Sequence, residues 1–497
     1  MSSRRGTAVR RAGTTFLFLA SITLLFRPGA PVAAQTALAP APVAPGGFLE
    51  TADSIVVRPL LSPIQIQALL PLRGLFLFPP PYGTEAARIT NPTDCGGADC
   101  VDYVGYSYWR NINNHVGSDT MLIFLSLDRS RGGAGPTLFS FNKVTGQVSV
   151  VGPLFDASSP FSWSTAEGWY FSATRPTTLY LSSGASLLRY DVLTRQMGTV
   201  FDAAPQFGSD KYIFQFHSSN DDRVHSATLR QTGTWATLGC LVYREDTAQF
   251  SYYPKVGDFD ECQIDKSGRW LLIKENVDGA YGEDNRIIDL ETGVERLQLD
   301  QNGAAGHSDN GFGYMVAADN YSPLPNSVRV FQFGQDPLLA PVVYHNLDWF
   351  VSSPNHTSHA NARSGVPLGQ QYACGSSANR TNSARANEIF CFRLDTSLQV
   401  LIVAPSLTDL DAPGGGDDYG KLPKGNLDPT GQYLIWTSNM SGNRLDAFIV
   451  RVPSQLLVGT PSDVTPPANV QNLRRGDTAP FPSTGSTTSS SFPTPPR

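Results

Sequence analysis

The stretch Leu427–Pro453, LDPTGQYLIWTSNMSGNRLDAFIVRVP, decides how the whole chain is read, because it states one structural phrase that recurs upstream. Asp428-Pro429-Thr430-Gly431 is a turn, since proline fixes φ at one position and glycine accepts the positive φ that follows. Gln432 to Asn439 then runs through Tyr, Leu, Ile, Trp and Thr, side chains that suit a pleated and largely buried strand. Ser441-Gly442-Asn443 turns the chain again, and Ala447 to Val452 makes a further strand. The phrase is an antiparallel meander.

Moving outward, a strand, a short polar turn and another strand recur as LFSFNKVTGQVSVV from Leu138, LLRYDVLTRQMGTV from Leu187, LVYREDTAQFSYYP from Leu241 and RIIDLETGVERLQL from Arg286. Looser copies follow as VRVFQFGQDPLLAPVV from Val328, IFCFRLDTSLQVLIVAP from Ile389 and AFIVRVPSQLLV from Ala447. Each copy has another strand before it, such as RWLLIKEN or QYLIWTSN, and ahead of that a first strand ending in a polar turn, as in QIDKSGRW. Four strands per unit, repeated at spacings of about 40 to 60 residues, predict an all-β fold: a seven-bladed β-propeller with four-stranded antiparallel blades, from about Ala98 to Pro453. A pair of β-sandwiches also uses many short strands, but it does not repeat the same turn at the same place.

The flanks differ in composition. Arg4, Arg5, Arg10 and Arg11 precede the apolar run TTFLFLASITLLF, and Val32-Ala33-Ala34 offers small residues, so residues 1–34 read as a secretory signal peptide. That address predicts a secreted, periplasmic or cell-surface protein with no membrane span after cleavage. Residues 35–97 read as an Ala/Pro-rich linker and an N-terminal cap segment. Within it SPIQIQALL fits a short helix, and FLFPPPYGTEAARIT fits a strand that closes or caps the ring, confined to an edge by its prolines. Residues 454–497 read as a Ser/Thr/Pro-rich tail in which DVTPPANVQNLR resembles the start of a fibronectin type III domain.

The formal net charge is -6, and the signal would remove five arginines, leaving the remainder more acidic. An acidic chain argues against a nucleic-acid partner and leaves a glycan or a cell-surface protein, bound by a monomer. Six cysteines in an exported chain suggest three disulfides: Cys95 with Cys100, Cys240 with Cys262, and Cys374 with Cys391, a pairing that is one of 15 possible. A zinc site would want a close C-x-x-C pair, which the sequence lacks.

Asp265-Lys266-Ser267-Gly268-Arg269-Trp270 and Asp428-Pro429-Thr430-Gly431-Gln432-Tyr433 resemble the blade turn of the WD-repeat-like propellers of bacterial secretomes. More narrowly, NLDPTGQYLIWTSNMSGN is similar to the last blade of the oligogalacturonate lyases. That resemblance implies a secreted seven-bladed propeller cleaving uronate-containing glycans by β-elimination with a divalent metal as cofactor. It also implies two metal-binding histidines just before the turn, where this chain has Lys421-Leu422-Pro423-Lys424-Gly425-Asn426 instead.

The seven histidines are the least random feature. His115, His217, His307 and His356 fall in or at the start of first strands, which line the channel of a propeller; Trp163, Gln263 and Asn426 hold comparable places. Asp309, His359 and Asn361 lie close enough in sequence to join a site there. For a lyase, His307 and His356 supply imidazoles able to take a proton and Lys424 a cation to stabilise enolate charge. For a binding module, the same side chains with His115, His217, Gln263, Asp309, His359, Asn361 and Asn426 offer polar contacts to a ligand. The plainer alternative is that these groups hydrogen-bond between blades. The acidic loops DDRVH, VDGAYGEDN and DLDAPGGGDDYG lack the spacing of a calcium-binding hand and read as solvated turns.

Overall fold

The aspartate of the repeated turn organises it. In the computed structural model Asp265 Oδ1 accepts the backbone N–H groups of Arg269 and Trp270, both at 3.0 Å, while Asp428 Oδ1 accepts that of Gln432 at 3.1 Å. Gly268 and Gly431, both at φ +76°, supply the left-handed step that lets each turn close. The structure describes residues 46–102, 106–115, 117–161, 168–280, 282–303, 306–319, 323–345 and 356–459. The proposed signal peptide, the tail beyond Gly459 and Trp163 lie outside them.

Among these residues seven antiparallel sheets follow one another, the blades of a propeller. Blade one comprises Ile112–Asn113, Thr120–Leu127, Gly135–Asn142 and Val148–Pro153; blade two comprises Tyr170–Phe171, Thr178–Ser183, Ser186–Asp191 and Met197–Asp202. Blade three runs from Lys211–Ser218 through Val224–Gln231 and Thr237–Arg244 to Gln249–Pro254. Blade four runs from Asp258–Ile264 through Trp270–Asn276 and Asp284–Asp289 to Glu295–Gln298, and blade five from Ser308–Asn310 through Tyr314–Asp319 and Ser327–Gln332 to Val342–His345.

The last two blades borrow strands from the start of the chain. Blade six has Tyr372–Ser376, Glu388–Arg393 and Gln399–Pro405, with its first strand reduced to a single bridge between Ser358 and Cys374. Strand β1, Phe48–Thr51, adds to its outer edge by pairing Phe48 with Ile402. Blade seven has Asn426–Leu427, Tyr433–Ser438 and Asp446–Arg451; its fourth strand is β3, Glu85–Arg88, and β2, Gly74–Leu77, follows outside. The expected linker and cap segment therefore supplies three blade strands from Phe48 onward. The copy read from Ala447 is corrected at its end: Gln455–Val458 is a short helix, because Ala86 and Ala87 already occupy the edge opposite Val450 and Ile449. SPIQIQALL does form a helix, Pro63–Leu69, with a reciprocal Ser62–Gln65 cap.

The apolar core lies between blades. One cluster joins Ala87, Ile435 and Ile449 of blade seven to Ile123 and Phe139 of blade one, which is the contact that makes a ring of the row. Others bridge blades one to three around Phe171 and Leu241, three to four around Val242 and Ile273, and four to five around Leu272 and Met315. The largest spans blades five to seven, including Val330, Phe390, Leu401 and Trp436. No single blade buries both of its faces, so the stability of each depends on its neighbours.

The cysteines pair as Cys95–Cys100, Cys240–Cys262 and Cys374–Cys391. Cys374 and Cys391 are direct cross-strand partners, whereas Cys240 and Cys262 join the third strand of blade three to the first of blade four. The Cys240–Cys262 bond closes a separation of 22 residues, for which chain entropy predicts a stabilisation of roughly 3 kcal/mol. Replacing both cysteines with alanine should lower the unfolding free energy by about that amount in a urea titration, provided that the transition is two-state.

Candidate functional site

Six short joints tie each blade to the next. The Phe171 N–H donates to the Arg110 carbonyl at 2.8 Å, and Ser172 Oγ donates to Asp222 at 2.6 Å. The Asn220 N–H donates to the Lys266 carbonyl at 3.0 Å, and Lys266 Nζ donates to Asp309 at 2.8 Å. Asp309 Oδ2 in turn accepts the His359 N–H at 2.5 Å, and the Tyr372 hydroxyl donates to the Gly431 carbonyl at 2.6 Å. Asn114 Nδ2, donating to Asp428 at 2.5 Å, closes the seam between blades seven and one.

Several predicted site residues belong to these joints. His359 is fully buried; its Nδ1 faces the Tyr372 carbonyl at 2.9 Å, which places the proton there and leaves Nε2 to accept the Tyr314 hydroxyl at 2.8 Å. Asn426 donates to Asn111 Oδ1 at 2.8 Å, and Gln263 accepts from Asn310 at 3.2 Å. Asn361 is buried with its amide close to Gly431. His115 follows the inner strand of blade one, at the turn end, while His307 and His356 precede theirs; the chain places it apart from that pair.

Before the inner strand of blade one, the segment Tyr106–Trp109 reaches across to four other blades. The Tyr106 hydroxyl bonds His307 Nε2, and its ring lies 4.9 Å from that of His356. His307 and His356 are themselves 5.3 Å apart between ring centroids. Lys424, fully buried, donates to the Tyr419 carbonyl and lies 3.7 Å over the Tyr419 ring, which in turn sits 6.4 Å from that of His356. Thus His307, His356 and Lys424 are brought together with two tyrosines, of which Tyr419 is 47% exposed.

His217 belongs to a second cluster. Its ring stacks on Trp109 at 5.1 Å and lies 5.7 Å from Tyr108. Tyr108 donates to Glu261 Oε1 at 2.9 Å, as do Gln263 at 2.8 Å and Lys274 at 2.7 Å. Glu261 and Lys274 are register partners in blade four, each 1% exposed. Burial alone would raise the Glu261 carboxyl, but Lys274 and His217 hold it well below the usual carboxylate range. Between these groups and the Lys266–Asp309 pair lies a polar cavity of about 30 Å³, enough for about one or two waters.

Burial depresses five of the imidazoles. His307 and His359 fall to about 4, as does His115, while His217 and His356 are lowered by the same cause. They are neutral near pH 7.

No protein-family model matches the chain, and no curated protein matches its sequence. Solved structures do. An oligogalacturonate lyase in complex with manganese superposes with a TM-score of 0.54 at 11% identity, over 77% of this chain and 97% of that one. The oligogalacturonate lyase of Vibrio parahaemolyticus gives 0.53 at 10% identity, over 83% and 100%. In fold, this propeller is similar to the oligogalacturonate lyases. Where that resemblance implies two metal-binding histidines this chain has neither: Lys424 brings an ammonium, which can only donate, and Asn426, whose Nδ2 donates to Asn111, offers a single amide oxygen.

The sequence reading missed Tyr106, Tyr108, Trp109, Glu261, Lys274 and Tyr419. Its available signal was Lys274, a charge inside the apolar strand WLLIKEN, and Glu261 in the strand before it. It also missed Ser218, His225 and Glu245, linked by contacts of 2.6 and 2.9 Å in the order of a nucleophile, base and orienter. Ser218 lines the small cavity, which has no room for an acyl substrate.

The depressed histidines set a pH response. A histidine lowered to about 4 binds fewer protons folded than unfolded between pH 6.5 and 4, so its contribution falls as pH drops through that window. His359→Gln removes the term: its stability deficit relative to wild type, measured by urea titration, should shrink between pH 7 and pH 4, by up to about 3 kcal/mol.

Proposed function

We propose that the chain is an exported binding module that takes a glycan where Tyr419, His356 and His307 converge. The observation that carries this reading is the half-exposed Tyr419 ring, backed at 3.7 Å by the buried Lys424 ammonium. An aromatic face held in place before the ligand arrives gives a sugar an apolar platform with little ordering cost. The imidazoles of His356 and His307 stand close by as neutral hydrogen-bonding groups. Three disulfides agree with an oxidising, extracytoplasmic location, and among the described residues no helix is long and apolar enough to cross a membrane.

The second reading, a lyase cleaving uronate-containing glycans, draws on the pairing of His307 with His356 beside Lys424 and on the name carried by the similar structures. Its difficulty is basicity: an imidazole lowered to about 4 is a weak acceptor for a carbon-bound proton at neutral pH.

A panel of neutral and acidic polysaccharides separates the readings. Titration calorimetry should find at least one glycan that binds wild type, and Tyr419→Ala should weaken it by roughly tenfold or more while circular dichroism shows the fold retained. Full retention of affinity in that variant would discard this site. Growth of far-ultraviolet absorbance from unsaturated uronate would favour the lyase, and flat traces on every acidic polymer would retire it.

A further inference from the structure

At the loop joining the second and third strands of blade four, Asp278 and Asp284 approach the short 3₁₀ turn Asp300–Asn302 that follows its fourth strand. Asp278, Asp284 and Asp300 offer carboxylate oxygens that all lie within 4.8 Å of one another. Asp284 is 1% exposed and Asp300 4%, while Asp278 is exposed and opens the cluster to solvent. Among the described residues, no lysine, arginine or histidine forms an ion pair with any of the three.

The decisive atom is Asp300 Oδ1, buried and without a hydrogen-bond donor. Leaving a carboxylate oxygen in that state beside two further carboxylates is costly unless a cation completes it. The other two aspartates are fixed for such a role. Asp284 Oδ2 accepts the Val277 N–H at 2.7 Å and its Oδ1 the Asp300 N–H at 3.0 Å; Asp278 Oδ1 accepts the Ala280 N–H at 2.8 Å. Gly282, at φ +128°, lets the backbone pass so near that an added Cβ would sit 2.0 Å from Asp300 Oδ2.

We propose that Asp278, Asp284 and Asp300 form a calcium site that clasps this loop to the segment leading into blade five. Hard carboxylate donors without nitrogen or sulfur suit Ca²⁺, and three carboxylates leave positions for waters and backbone carbonyls. The sequence could not show this site, because Asp300 lies 16 residues beyond Asp284 and outside any ligand spacing within the loop.

The test uses the full chain stripped with EDTA and desalted. Calorimetric titration with CaCl₂ should show one ion per chain with a Kd at or below about 1 mM, the weak end for extracellular calcium modules. Calcium should also raise the melting temperature. Asp278→Asn, on the surface, and Asp300→Asn should each weaken binding at least about tenfold, with the folded state of both confirmed by circular dichroism. Absence of saturable calcium binding would overturn the proposal, as would wild-type affinity in Asp278→Asn, which would place the ion elsewhere. Magnesium binding more tightly than calcium would overturn the choice of ion.

Discussion

A row of sheets packed face to face becomes a stable object only when its last member meets its first. In this chain that meeting is made by covering Ile435 and Ile449 of blade seven with Ile123 and Phe139 of blade one, with Ala87 of β3 in the same cluster. The strands that hold blade seven in shape come from the opposite end of the chain, so the ring cannot form until residues more than 350 apart pair, as Arg88 does with Asp446. The Asp446 carboxylate, fully buried, accepts from Arg88, Arg444 and Thr90 at once, which fixes the register of the borrowed strand.

The same closure explains the polar character of the interior. Seven inner strands converge on one axis, and their backbone and side-chain polar groups must find partners there. Most do so across blade boundaries, as Lys266 with Asp309, Asp309 with His359 and Asn426 with Asn111. These residues fasten blades. At the other end of the inner strands the segment Tyr106–Trp109 divides the histidines into two groups, His307 with His356 and His217 with Glu261. Function on this scaffold is accordingly sought at the end where Tyr419 faces solvent, in loops that join blades and carry no ring-closing duty.

The blades were legible because burial on both faces forces strands of apolar and β-branched residues, and because each hairpin needs its turn residues at a fixed place. Asp265 to Gly268 and Asp428 to Gly431 announce themselves by that chemistry. The cysteine pairs were legible once neighbouring strands had been assigned. The first strand of blade six was not: ahead of Tyr372–Ser376 it is reduced to the bridge of Ser358 with Cys374, too short and too polar to show a period. The end of the last repeat misled for another reason. Ser454 to Val458 continues the apolar pattern, yet a strand there has no vacant edge to pair with once β3 is in place.

By itself, then, the sequence determined the repeating unit, its turns and the number of blades, since these rest on contacts between residues close in the chain. Tertiary structure decided which strands complete blades six and seven, which histidines share a site, and that Asp300 joins Asp278 and Asp284. Those outcomes depend on where the ring closes and on the direction each side chain takes at the axis. A local pattern carries no record of either, because a one-residue change of register would reverse the facing of every side chain while leaving the pattern intact.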